Sequence, residues 1–251
     1  IKYAVVAVMA AIWKWYYYAP NTYKQLKIQE MKKLGMEPPS EEEVHEAFAL
    51  PTFIGGTAKK FNFSFLDYMK TVMGPYLALR FFLFPAPLLL FGRAYYTSAL
   101  INIALADVVS NLHSFLVIST NHAGRDLYRF DHSVVPKSGS FFLRQVITSV
   151  NFRTGNGEGK KPTGTRADIN DFLHGWLNYQ IEHHLWPQLS MLSYQRAAPE
   201  VKRICAKHGV PYIQQSVFKR LKETADIMVG KTSMRYWRPE WDRPQDKFEW
   251  K

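Results

Sequence analysis

The segment Tyr95–Thr120, "YYTSALINIALADVVSNLHSFLVIST", decides the fold class of this chain. Asp107 is its only acidic residue, and it contains no lysine or arginine. Its length exceeds the ~20 residues with which an α-helix crosses a bilayer. A second apolar run, Tyr76–Phe91 ("YLALRFFLFPAPLLLF"), comes just before it and holds one charge, Arg80. Together they predict a membrane-embedded helical hairpin, with a first arm that Pro85 and Pro87 kink or make re-entrant.

Composition supports a membrane protein over a nucleic-acid-binding protein. The chain has 251 residues, a net charge of +11 and 15% aromatic residues. Its polar, Lys- and Arg-rich part follows His122, as the positive-inside tendency expects of a cytosolic or stromal face. Nucleic-acid binding would need basic residues and exposed aromatics on one soluble surface, whereas here the apolar runs explain the aromatics. A single cysteine, Cys205, excludes an intramolecular disulfide and fits a reducing compartment.

The rest of the chain predicts an all-α fold in three parts. Residues 1–122 would form membrane-spanning and interfacial helices, residues 123–230 a helical cap, and residues 231–251 a polar tail. Ile1–Tyr18 is a further candidate span, and Thr22–Leu34 is a basic amphipathic helix lying on a membrane surface or on the protein itself. The Gly-rich stretch Arg153–Thr165 predicts a loop. Other predicted helices are Ser140–Asn151, one from Asp168 or Asn170 to about Trp186, Ser193–Lys207 and Gln215–Val229.

Polar residues form a stripe along the long span. The stripe is mostly polar and recurs every three or four residues, at Asp107, Asn111, Ser114, Ile118 and His122. Because a charge in mid-bilayer costs on the order of 2.5–3.5 kcal/mol, we expect Asp107 to face protein or water and not lipid.

A second chemical pattern is "LNYQIEHHLWP", Leu177–Pro187. In a helix Gln180, His183 and His184 occupy i, i+3 and i+4 and share one face. Neutral imidazoles bind iron, zinc or copper, so the pattern is compatible with a metal site. The alternative is an exposed pair or a pair satisfied by hydrogen bonds in the core. Zinc-protease spacings are absent from this stretch.

The longer stretch "HGWLNYQIEHHLWPQL", His174–Leu189, closely resembles the third histidine box of membrane fatty-acid desaturases. Its glutamine-first form resembles that of the front-end subgroup, which inserts a double bond between an existing one and the carboxyl end. Three flanking segments resemble the same family in the same order, so that the resemblance covers roughly residues 76–212. They are "NLHSFLVISTNHAG" (Asn111–Gly124), "SFFLRQVITSVNF" (Ser140–Phe152) and "YQRAAPEVKRICAKHGVPY" (Tyr194–Tyr212).

The resemblance implies an iron-dependent, O₂-using fatty acyl desaturase with two irons. It implies His122, His183 and His184 as metal ligands, with a second shell of Gln180, Asn111, Asp107 and Asn121. It also implies a membrane lipid or acyl substrate and an electron donor, cytochrome b5 or ferredoxin. The expected location is the endoplasmic reticulum, a plastid or another organelle membrane, with the site facing cytosol, stroma or matrix.

One departure matters: the family's HxxxH and HxxHH boxes are absent, and His45 is the only histidine before residue 100. Three histidines cannot hold two irons. Either the two boxes lie upstream of Ile1 or they are lost. We expect the first, because the chain does not begin with Met and retains the third box. The second would describe a catalytically inactive, desaturase-like subunit with a structural or lipid-holding role in a larger complex. A histidine-box hydroxylase would share the metal chemistry.

Overall fold

Helices make up nearly all of the regular structure, which confirms the all-α prediction. The computed structural model describes residues 1–37, 43, 64–153 and 165–247, without the side chains of residues 16, 165 and 166. His45 and most of the predicted loop at 153–165 lie outside the described residues. The α-helices are α1 Lys2–Ala11, α2 Ala19–Lys33, α3 Phe65–Tyr68, α4 Gly74–Leu77, α5 Arg93–Ile118, α6 Gly139–Ile147, α7 Thr165–Leu173, α8 Gln180–Leu185, α9 Met191–Lys207 and α10 Val217–Met228.

Shorter elements connect these helices. Turns of π type occupy Lys14–Tyr18, Met69–Met73 and Ala78–Leu83. Turns of 3₁₀ type occupy Ala86–Phe91, Ser119–Asn121, Leu177–Tyr179, Pro239–Trp241 and Pro244–Asp246. Four two-residue strands form two parallel pairs: β1 Tyr128–Arg129 with β4 Arg235–Tyr236, and β2 Asn151–Phe152 with β3 Gln214–Gln215.

The chain divides into two compact units. The hairpin unit comprises residues 8–112, and the cap unit comprises residues 1–7 and 113–251. The predicted boundaries at residues 122 and 230 remain a prediction.

Within the part of the chain that the structure describes, two helices are long and apolar enough to cross a membrane: Phe65–Phe91, of 27 residues, and Arg93–Asn121, of 29. In the most apolar 18-residue stretch of each helix, 6% of the first and 22% of the second is buried in the protein. The core helix of a soluble protein, by contrast, is mostly buried. This exposure, over lengths that match a bilayer, indicates membrane association. The first helix changes to a 3₁₀ turn after Pro85, where the sequence predicted a kink. The apolar helix α1 has 10 residues and is shorter than a span.

Within the hairpin unit Asp107 faces protein, as expected, and is buried. Its carboxylate accepts hydrogen bonds from Arg80, with Nη2 at 2.9 Å from Oδ1, and from the Tyr76 hydroxyl at 3.2 Å. Asn111, one helical turn later, accepts from the Lys14 backbone N–H at 3.2 Å and donates to the Ala11 carbonyl at 2.9 Å. Pairing of this kind is how a membrane helix tolerates polar residues.

Helix α2 covers the predicted helix Thr22–Leu34, but the residues predicted for its apolar side do not share one environment, since Met31 is buried and Leu34 is exposed. Its Tyr23 packs against Tyr68, with ring centroids 5.5 Å apart, and its hydroxyl donates to Asp67. Ile28 packs against this buried pair, whereas Leu26 is exposed. One side of α2 therefore packs on the protein itself. Of the two predicted placements, on a membrane surface or on the protein, this side has the second.

The core of the cap unit lies where α6, α8 and α9 meet. Its buried centre is Val146, Ile147, Ile181, Val201 and Cys205. Trp237 of the tail packs against the same cluster, and β4 pairs with β1 in the register Tyr128 to Arg235. The tail is thus fastened along the cap.

The prediction of one helix from Asp168 or Asn170 to about Trp186 is wrong. Helix α7 ends at Leu173, and Gly175 and Trp176 both have φ near +58° (58° and 57°), a left-handed conformation that no helix continues through. A fully buried Asp171 accepts hydrogen bonds from the side chains of Asn178 at 2.7 Å and Tyr179 at 2.9 Å. These hydrogen bonds stabilise the turn that follows α7. The next α-helix, α8, begins at Gln180.

Candidate metal centre

His122 stands directly after the end of α5 and its 3₁₀ turn. Two buried side chains return to the last helical turn: Thr120 Oγ1 donates to the Leu116 carbonyl at 2.6 Å, and Asn121 Nδ2 to the Val117 carbonyl at 3.0 Å. They satisfy carbonyls that every helix end leaves without partners. The chain therefore leaves the helix in a fixed direction just before His122.

Arg220 of α10 fixes the other side of His122. This fully buried guanidinium donates to the Ala123 carbonyl at 2.9 Å and pairs with Asp126 at 2.7 Å. A Cβ at Gly124 would lie 2.0 Å from Arg220 Nη2, so a larger residue there would force the guanidinium to move. Arg220 was not predicted, because in the sequence it looks like any other arginine of an amphipathic helix.

The histidine-box helix α8 is held by a buried carboxyl, Glu182. Its Oε2 accepts from Asn151 Nδ2 at 2.7 Å and its Oε1 from the Tyr212 hydroxyl at 2.9 Å. Asn151 Oδ1 also accepts the backbone N–H of Ile181 at 2.9 Å. Burial raises the pKa of Glu182, and burial together with Glu182 raises the pKa of Tyr212. In the sequence Glu182 stands out only as an unpaired charge in a buried segment, and this network is its role.

The structure brings His122, Gln180 and His184 together. Gln180 Nε2 lies 3.1 Å from His122 Nε2 and 3.0 Å from His184 Nε2. The two imidazole Nε2 atoms are 3.4 Å apart. His122 precedes His184 by 62 residues, so folding alone creates this cluster.

The orientation of the Gln180 amide follows from its neighbour Asn121. Asn121 Nδ2 donates to Gln180 Oε1 at 3.3 Å and to the Leu177 carbonyl at 2.8 Å. With its oxygen held there, Gln180 directs its NH₂ group, which only donates, at both imidazoles. Each facing Nε2 therefore carries a lone pair, which is the tautomer that binds a metal through Nε2.

Burial keeps these rings neutral. It lowers the pKa of His122, against a hydrogen bond with the Thr148 backbone that raises it, and it lowers the pKa of His183. Burial and the two neighbouring histidines lower the pKa of His184 to about 4. Neutral imidazole is the form that a metal ion binds.

His183 points elsewhere. Its Nδ1 lies 3.3 Å from the Tyr194 hydroxyl, and the two rings meet edge to face with centroids 5.7 Å apart. Gln180 and His184 share a face, as their spacing predicts, and His183 lies at its edge. Asp107 and Asn111, predicted for a second shell, have their described partners within the hairpin unit. Their role at a metal centre remains a prediction.

These residues fit part of a metal centre. Two nitrogens each ~2.1 Å from one ion would lie roughly 3.0–3.4 Å apart, and His122 and His184 meet that condition. Among the described residues, however, no three histidine, cysteine, aspartate or glutamate side chains are grouped to hold an ion. The described part of the chain supplies two converging imidazoles, not a complete site.

Comparison with known proteins shows that the similarity extends beyond the histidine-box segment. A family model described as fatty acid desaturase matches residues 8–216, which is most of the chain. This chain belongs to the fatty acid desaturase family. It is 31% identical over 146 residues to the Delta(8)-fatty-acid desaturase of Euglena gracilis, a match that covers 58% of this chain and 30% of that protein.

Two further relatives are similar over shorter stretches. The acyl-lipid (9-3)-desaturase of Physcomitrium patens is 29% identical over 134 residues, covering 51% of this chain and 22% of the relative. Fatty acid desaturase 3 of Bos taurus is 55% identical over 42 residues, covering 17% and 10%. The matches thus span less than a third of each relative's length. No solved structure matches the chain.

Proposed function

We propose that the full-length protein is an iron-dependent, O₂-using fatty acyl desaturase of the front-end type, with His122, His183 and His184 as iron ligands. The observation that carries the proposal is the convergence of His122 and His184, whose Nε2 atoms lie 3.4 Å apart. The family assignment supports an acyl substrate, and the Delta(8) relative supports action on a fatty-acid chain.

Iron bound there would supply the activation of O₂ that removes two hydrogens from adjacent methylenes of the acyl chain. The reaction balances when two further electrons and two protons join those hydrogens, reducing O₂ to two waters as the double bond forms. A small carrier, cytochrome b5 or ferredoxin, would deliver the electrons. The net charge of +11 supports docking of an acidic carrier.

The protein's own groups would orient the ligands. Asn121 holds the Gln180 oxygen at 3.3 Å, so Gln180 would act as a hydrogen-bond donor at the centre and not as a ligand. Tyr194 engages His183 through Nδ1, so Nε2 is the nitrogen that we assign to iron. A second partner on the other ring nitrogen is how proteins usually aim a metal-binding imidazole.

Two irons need ligands beyond these three histidines, and the HxxxH and HxxHH patterns are absent from the 251 residues. The competing proposal, an inactive desaturase-like subunit of a larger membrane complex, predicts no iron. Both place the protein in an organelle membrane, and iron content separates them.

The test measures iron per chain by mass spectrometry in the full-length protein purified from iron-replete cells. It also measures acyl double-bond positions in the host lipids. We expect bound iron and a new double bond on the carboxyl side of an existing one, both lost in His122→Ala and His184→Ala. His208→Ala, at an exposed histidine, is the matched control and should keep both. Iron-free parent protein, or iron and unsaturation unchanged in His184→Ala, would reject the proposal.

A further inference from the structure

Helix α7 has its polarity reversed relative to a helix of a water-soluble protein. Ile169, Phe172 and Leu173, at i, i+3 and i+4, form one face, and their side chains are 56%, 68% and 58% exposed. The opposite face, with Ala167 and Asp171, is buried. A helix at a water surface normally turns its apolar stripe inward.

Hydrogen bonds to Asp171 on the buried face prevent α7 from rotating about its axis. Asp171 accepts hydrogen bonds from Asn178, Tyr179 and Gln195, with Gln195 Nε2 at 2.7 Å. Turning the helix to bury Phe172 would leave a charged carboxylate and its three donors without partners. Because leaving buried polar groups without partners destabilises the fold, the outward apolar face is built into the cap unit.

The position of α7 along the membrane helix shows what covers this face. His113 Nε2 donates to the Leu173 carbonyl at 2.7 Å, which ties the end of α7 to α5. His113 follows Arg93, the first residue of α5, by about 20 residues, or about 30 Å of helix. The hydrocarbon core of a bilayer is also about 30 Å thick. Counted from Arg93, a helix of this length would bring Leu173 to the edge of the hydrocarbon.

We propose that α7 lies in the headgroup–acyl boundary of the membrane, with Ile169, Phe172 and Leu173 inserted into lipid. The partner is the bilayer itself. An apolar stripe resting a few ångströms into that boundary is the normal mode of an interfacial helix. The proposal concerns lipid contact alone and does not depend on iron or on desaturation.

The test places one fluorescent label on this face. The full-length protein, carrying Cys205→Ala and no other native cysteine, receives Phe172→Cys and an NBD label and is reconstituted in phosphatidylcholine vesicles. Lys202→Cys, at an exposed polar position of α9, is the matched control, and Ile169→Cys repeats the measurement one turn earlier. Quenching is measured with lipid that carries a nitroxide near the glycerol and, separately, with iodide in the water.

We expect lipid nitroxides to quench the labels at 169 and 172 at least threefold more than the label at 202. Iodide should show the reverse order. Iodide quenching at 172 equal to that at 202 would overturn the proposal, because the face would then contact water. Protection from both quenchers would overturn it too, because a protein partner would then cover the face. Cooperative thermal unfolding of each labelled protein checks that the cap is intact.

Discussion

His184 is a titratable ring whose charge is decided by burial and by two neighbouring histidines. Together they lower its pKa to about 4, so the ring is neutral at physiological pH. A histidine at the usual value, about 6.5, would be partly protonated at pH 6 and would repel a metal cation. The same burial that creates the site therefore prepares the ring to bind metal.

This shift predicts how the stability of the metal-free protein depends on pH. Unfolded His184 takes up a proton near pH 6.5, whereas folded His184 takes it up near pH 4, so the unfolded state binds more protons between these values. The contribution to stability is fully present above about pH 6.5 and is lost as the pH falls toward 4. We expect the unfolding temperature in detergent, with chelator present, to fall between pH 7 and pH 5.

Two variants test whether His184 causes this fall in unfolding temperature. His184→Gln should reduce the dependence on pH, because it removes a group with a lowered pKa. His208→Gln, at an exposed histidine, should leave the dependence as it is in the parent. The assignment fails if the curves of His184→Gln and the parent run parallel over this range.

At the scale of an element, the end of α5 is closed by contacts that come from far along the chain. Arg220 reaches the Ala123 carbonyl and Asp126, and Thr224 Oγ1 donates to the same carbonyl at 3.3 Å. These bonds hold the segment that carries His122. A Cβ at residue 124 would lie within 3 Å of the side chains of both Arg220 and Asp126.

Gly124→Ala should therefore displace Arg220 and loosen His122. Its Cβ would lie 2.0 Å from Arg220 Nη2, an overpacking that we expect to cost about 1–3 kcal/mol of unfolding free energy. Gly139→Ala is the matched control, since its Cβ would meet nothing closer than 3.5 Å. Thermal unfolding and iron content are measured on both variants. Equal stability of the two alanine variants would show that the guanidinium can move aside without cost.

At the scale of the whole molecule, the tail is fastened by a buried ionic cluster. Asp242 Oδ2 accepts from Arg144 Nη2 at 2.6 Å and from His132 Nε2 at 2.7 Å. Burial acts to raise the pKa of Asp242, but these hydrogen bonds outweigh it and the pKa falls below its usual value. Asp246 accepts the backbone N–H of Ser140 at 2.9 Å, at the start of α6. The tail therefore supports a helix of the cap core.

Asp242→Ala would leave the Arg144 guanidinium buried without its carboxylate. Breaking one partner of a buried pair typically costs about 3–5 kcal/mol, and we expect a loss near the lower value because the His132 carbonyl still accepts a hydrogen bond from Arg144 at 2.7 Å. Denaturant unfolding measures the loss, and limited proteolysis should cut the tail sooner. Glu240→Ala, at an exposed position of the adjoining turn, should behave like the parent. Equal stability of the two variants would show that the tail is not needed by the cap.

Much of the fold follows from local pattern. Apolar lengths predicted helices at 76–91 and 95–120; the second runs over 93–121 as expected, whereas the first begins eleven residues earlier, at Phe65. Periodicity predicted α9 and α10 within two residues of their ends. Gly209, with φ at +66°, follows the end of α9 as predicted. The break after Leu173 was missed, because it depends on Asp171 meeting side chains that belong to the next turns of the folded chain.

The sequence by itself determined which segments are apolar and long enough to cross a membrane, and that Gln180 and His184 share a helical face, because hydropathy and helical spacing are properties of neighbouring residues. Only the tertiary structure decided which way those groups point and what they meet. His122 reaches His184 across 62 residues, Asn121 turns the Gln180 amide across 59, and Arg220 reaches Ala123 across 97. Contacts over such separations depend on how the whole chain packs, and no local pattern of residue types specifies them.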